Sequence, residues 1–244
     1  MLVYFLCRVA SVHALLRYPQ SPKGLSIDMA YWNCIQSGFL ILHYWMISTP
    51  ELSAQYEKRY RRQPEVSFTM MLYLMHQLVL WGMIFYVGAI KRRRQLVSEA
   101  QGLSIMAIGT SSLFGLVFVG LWLCAGLNSI NGLGYYGLMK LDAANWLWMI
   151  GQSIELCALV PQIAVSWVLA TGIYSRFSIL ELIGSTAAVL ASISSQPNAP
   201  VHFLFHTVRC ALVSILIYQL RIYNKKSTRI KGQINTDLEL GSVQ

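Results

Sequence analysis

Three carboxylates stand inside long apolar runs of this chain: Asp28 in GLSIDMAYWN, Glu155 in SIELCALVPQIAVSW and Glu181 in FSILELIGS. A carboxylate within a bilayer is costly unless it faces a partner or a water-filled cavity, so each marks a candidate for proton binding, ion pairing or solute contact. A buried carboxyl can hold different protonation states toward an acidic and a neutral compartment, which is what a proton-driven carrier requires. The plainer reading of Asp28 and Glu181 is structural: both lie in the first turns of predicted helices, where an acid suits the positive end of the helix dipole. Glu155 has two readings as well, lining a cavity near Pro161 or pairing with Arg209.

Pro161 adds a mechanical element. It falls late in an apolar run whose helical pattern continues through Val168, and it has no N–H for the carbonyl of Cys157. The helix must kink or open there, and Gln162 can satisfy some of the loosened backbone. His76 stands alone in an apolar run and reads as a packing residue. The five cysteines have neither C-x-x-C spacing nor clustered histidines, so no metal site is expected. GLGYYG (132–137) lacks a preceding strand and reads as a loop, not a phosphate cradle. No enzyme motif emerges and no cofactor is implied.

Stepping out from these residues, 55% of the chain is hydrophobic and only 12% charged, which makes the bilayer the expected solvent. Charge-poor runs of roughly 20 residues can cross its hydrocarbon core. They predict helices over about 2–18, 26–48, 66–90, 103–127, 143–170, 178–195 and 201–223. The first is short and carries Arg8 and His13. The polar tail, 224–244, is expected to be disordered and cytoplasmic.

Basic residues collect in cytoplasmic loops. With a lumenal N-terminus, Arg17, Lys23, the KRRRQ run (91–95), Arg176 and the basic tail fall on the cytoplasmic side. Lys58, Arg59, Arg61, Arg62 and Lys140 fall opposite. The net charge of +9 is thus accounted for by topology and anionic lipid, and no nucleic-acid partner is expected. Asp28 and Glu181 occupy similar settings in the second and sixth spans. Their spacing implies an all-α membrane protein of two parallel three-helix repeats, 1–90 and 143–223, joined by a linker helix at 103–127 in a 3+1+3 order. Such repeats place a solute site at their interface.

SIELCALVPQIAVSW resembles the signature of the PQ-loop transporters, the group of cystinosin and, more distantly, the SWEET proteins. GLSIDMAYWN is similar to the cystinosin pattern, with Gly24, Leu25, Ser26, Asp28 and Asn33 in register, and LMH (74–76) resembles the Leu-His of its third helix. In that register the first Pro-Gln of the family falls on Ser11 and Val12, so Pro19-Gln20 is a turn that imitates it. Ser166 stands where the family has Asn after the second Pro-Gln. The resemblance implies proton coupling through Asp28 and Glu181, with Glu155 as a further candidate from the sequence itself. It also implies solute contact by Asn33 and Ser166, and a hinge at Pro161 and Gln162.

The function so implied is proton-coupled export of a small polar solute, an amino acid such as cystine, from a lysosome, vacuole or related endomembrane compartment. The lost first Pro-Gln keeps two alternatives open. One is a transport-inactive regulatory or binding relative; the other is a proton-independent sugar or lipid carrier. The expected partners are the solute and the lipid bilayer.

Overall fold

The computed structural model describes residues 2–17, 25–64, 66–94, 103–126, 138–168, 175–194 and 203–223. These residues form helices α1 (Leu2–Arg17), α2 (Ile27–Ile47), α3 (Pro50–Tyr60), α4 (Phe68–Arg94), α5 (Ile105–Gly126), α6 (Lys140–Cys157), α7 (Leu159–Val168), α8 (Ser175–Ser194) and α9 (Phe203–Tyr223). Among the described residues, five segments are long and apolar enough to cross a membrane: Phe68–Val87, Ile105–Gly126, Lys140–Val168, Arg176–Ile193 and Phe203–Tyr223. α1 is a shorter apolar helix. α2 has the length, 21 residues, but Asn33, Gln36, Ser37 and His43 make it more polar, and all four are buried.

The distribution of polarity is the reverse of that in a water-soluble protein. Ile105, Met106, Leu116 and Leu123 of α5 and Leu72, Val79 and Met83 of α4 are exposed, whereas Arg8, Glu155, Gln162, Glu181 and Arg209 are buried. Apolar residues outside and hydrogen-bonded polar residues inside are what a helical chain needs in lipid. The chain is an all-helical, multi-pass membrane protein.

α3 was not among the expected elements; its EKRYRR segment reads as a loop. Pro50 sits in the first turn with Glu51, Lys58 and Arg59 lie in the last turn, and Arg61 closes the helix with φ 54°. These are ordinary start and stop signals, acid at the positive end and base at the negative end. Leu52 packs with Met46, Ile47, Ala144 and Leu147, which holds this short amphipathic helix against the ends of α2 and α6. The carboxylate of Asp142 receives both the Arg59 guanidinium and the Met139 backbone N–H, and Lys140 pairs with Glu51 at 3.0 Å.

The chain divides into two compact units, Met1–Ser26 with Leu159–Gln244, and Ile27–Ala158. In the first, α1 packs along α8, and Gly184 makes the approach possible: a Cβ there would lie 3.0 Å from the Cβ of Cys7. In the second, α2 lies between α4 and α6, with α5 against α6. Gly151 of α6 leaves room for Leu40 of α2. α1 thus falls in the same unit as α7, α8 and α9. Sequence order does not choose a helix's neighbour; surface complementarity and buried charge do.

Pro19-Gln20, Gly24, Gln95, GLGYYG and the tail from 224 onward lie outside the described residues.

Candidate functional site

The chain places its buried polar chemistry in two groups. In the first unit, Glu181 of α8 is fully enclosed. Its Oε2 receives Arg8 of α1 at 3.1 Å and Arg209 of α9 at 2.5 Å, and its Oε1 receives the Ser11 hydroxyl at 2.6 Å. Three helices are thereby joined through one carboxylate. Ser178 and Ser185, on the same stripe of α8, are fully buried, and their hydroxyls have no partner among the described residues. The guanidinium groups are donors only and the carboxylate an acceptor only, so the triad is self-consistent as an ionised cluster. A proton arriving on Oε2 displaces contacts to two cations. Arg209, which the sequence offers as a partner for Glu155, bridges to Glu181.

The same unit contains the Pro-Gln segment. The helical ladder is interrupted at Ala158, between α6 and α7, three residues before Pro161. Pro161 has no N–H for the Cys157 carbonyl, while Ala158 keeps helical angles, φ −60° and ψ −23°, and its N–H still reaches the Ile154 carbonyl at 2.8 Å. Gln162 is fully buried. Its Oε1 accepts the backbone N–H of Ser26 at 2.9 Å and its Nε2 donates to the Ser166 hydroxyl at 3.1 Å. Gln219 of α9 donates to the Ile163 carbonyl at 3.3 Å. Gln162 of the expected hinge and the expected solute residue Ser166 are thus hydrogen-bonded to each other, and Gln162 is tied to Ser26.

In the second unit, Glu155 of α6 accepts from Gln36 of α2 at 3.2 Å, with both residues buried. Asn33 donates to the Met29 carbonyl at 2.7 Å, and Ser37 to the Asn33 carbonyl at 2.9 Å. His43 is within 2.7 Å of the Ala144 carbonyl through Nδ1, which must therefore be the protonated nitrogen. Asp28 is only partly buried, and its Oδ1 accepts the backbone N–H of Ser104 at 2.9 Å, just ahead of α5. That contact goes to the start of another helix, α5, and not to the first turn of α2.

The sequence assigns no role to Gln36 or Gln77, marks Ser11 only as the place of the family's first Pro-Gln, and shows Arg8 only as a charge in a short first helix. The available signal was the same one that marked the acids: each is a polar residue inside an apolar run. Their partners lie far away in the chain, so their roles could not be read locally. Among the described residues no group of three or more His, Cys, Asp or Glu side chains is arranged to hold a metal ion.

No family model matches the chain. Over 102 residues it is 24% identical to an uncharacterized protein of Saccharomyces cerevisiae, YCL002C. The overlap covers 41% of this chain and 39% of the yeast protein, so the chain spans well under two thirds of that relative's length.

Proposed function

We propose that the protein is a PQ-loop-type carrier of a small polar solute, coupled to protons and working in an endomembrane compartment of acidic lumen. The observation that carries this reading is the bond from Ser26 N–H to Gln162 Oε1. The two segments on which the resemblance rests meet at a helix break, where a membrane helix can bend at low cost. The 3+1+3 order with repeats 1–90 and 143–223, the lumenal N-terminus and an amino acid such as cystine as solute belong to the same proposal.

Within it, Glu155 is the proton carrier. Its Oε2 accepts from the neutral amide of Gln36, which links it to α2, whereas Glu181 is held by two guanidinium groups. A proton on Glu155 turns an acceptor oxygen into a donor, and Gln36 must then rotate its amide to offer Oε1. The hydrogen bond between α2 and α6 reverses, and α2 carries Asn33. Opening at the Ala158 break supplies the alternation of access. Glu181 in this scheme is a lock that holds α1, α8 and α9 together.

A second reading, a transport-inactive binding protein, is favoured by that same lock. Proteoliposomes separate the two. An inside-acidic or outside-acidic gradient is expected to drive L-cystine or another amino acid in wild type, and Glu155→Gln to abolish gradient-driven flux while sparing counterflow. Undiminished gradient-driven flux in Glu155→Gln removes the proton role; no counterflow of any amino acid in wild type removes the carrier.

A further inference from the structure

Hydrocarbon offers no substitute for a missing hydrogen bond, so a polar side chain sealed inside a membrane helix is held at a cost unless something answers it. Gln77 of α4 is such a residue. It is 2% exposed, on the buried stripe of Leu74, Trp81 and Ile84, while Leu72, Val79 and Met83 on the other side are exposed. Neither Oε1 nor Nε2 of Gln77 has a partner among the described residues. α2 lies alongside, with the rings of Tyr31 and Phe85 6.0 Å apart, yet its polar groups are engaged elsewhere. Asn33 and Ser37 donate to carbonyls of α2 itself and Gln36 donates to Glu155.

An apolar residue would fill this position without penalty, whereas Gln77 brings an unsatisfied donor and acceptor into the buried stripe. We propose that Gln77 is a solute-binding residue whose amide donates to the carboxylate and accepts from the ammonium of a free amino acid. The proposal rests on the amino-acid carrier reading above and adds to it a residue that binds the solute. A side-chain amide presents donors and an acceptor side by side, which suits a zwitterion; a simple anion or cation answers only one of them.

Thermal unfolding of the purified full-length protein, followed by Trp fluorescence with L-glutamine, L-cystine and D-glucose as millimolar probes, tests this. Wild type is expected to melt a few degrees higher with one of the two amino acids and unchanged with glucose. Gln77→Met, similar in length and apolar, is expected to melt above wild type without ligand and to lose the amino-acid shift. Gln77→Asn, which keeps the amide, is expected to retain a reduced shift. The proposal is overturned by an undiminished shift in Gln77→Met, by a ligand-free Tm that falls in both variants, by a shift with glucose alone, or by no amino-acid shift in wild type. Binding that depends on Gln77 without any flux across vesicles keeps this assignment and removes only the carrier reading.

Discussion

The backbone N–H of Ser26 donates to the side-chain Oε1 of Gln162 at 2.9 Å, across a separation of 136 residues. Gln162 passes the connection on to Ser166, so one buried amide orients both the Gly-Leu-Ser segment and the helix beyond the break.

Replacing Gln162 with Leu leaves a buried N–H without an acceptor. The expected loss is about 1–3 kcal/mol of stability. Gln162→Glu keeps an oxygen for Ser26 but loses the donor to Ser166, and is expected to fall between wild type and Leu in thermal unfolding. Equal Tm values for wild type and Gln162→Leu would contradict the assignment.

Glu181→Gln leaves Arg8 and Arg209 without the carboxylate they share. Breaking a buried ion pair from one side typically costs about 3–5 kcal/mol, so this variant is expected to be the least stable of the single substitutions. Removing the charges together, Arg8→Met with Glu181→Leu and Arg209→Met, is expected to recover most of that loss. Chemical unfolding in mild detergent measures both.

Pro161→Ala restores an N–H three residues after the interruption at Ala158. Stability is expected to rise by about 1–3 kcal/mol, and amino-acid counterflow in vesicles to slow. A variant that is more stable and equally fast would show that the break does not serve movement.

Gly184→Leu places a side chain where a Cβ alone already comes to 3.0 Å from Cys7. Overpacking at such a contact costs about 1–3 kcal/mol, and Cys7→Gly in the same chain is expected to return part of it. Thermal unfolding of the single and double variants gives the coupling.

At the membrane surface, the hydrogen bond and charge of Asp142 hold the Arg59 guanidinium above its ordinary value. A base raised in this way contributes stability at every pH below its unfolded value and loses it only as pH climbs through the folded one. The bridge is therefore expected to add no pH dependence between pH about 6 and 9, the guanidinium being charged throughout. Asp142→Asn, which keeps an acceptor for Met139, is expected to cost at most about 1 kcal/mol, less at high salt. A clear pH-dependent Tm in wild type that vanishes in this variant would contradict it.

The helices were legible because the bilayer imposes a length and an apolar composition on whatever crosses it. α2 begins and ends within a residue of its expected bounds. α3 was missed although Pro50, Glu51 and the terminal bases announce it, since the density of charge in EKRYRR outweighed those signals in the reading.

Composition and local chemistry alone thus determined the solvent, most of the helical segments and which polar residues are expensive to bury. Only the tertiary structure decided who neutralises whom: Glu181 with Arg8 and Arg209, Glu155 with Gln36, Asp28 with Ser104, and Gln77 with no described partner. The reason is physical. Burial raises the cost of each polar group by an amount its own neighbourhood fixes, but the group that offsets that cost arrives on another helix, chosen by packing.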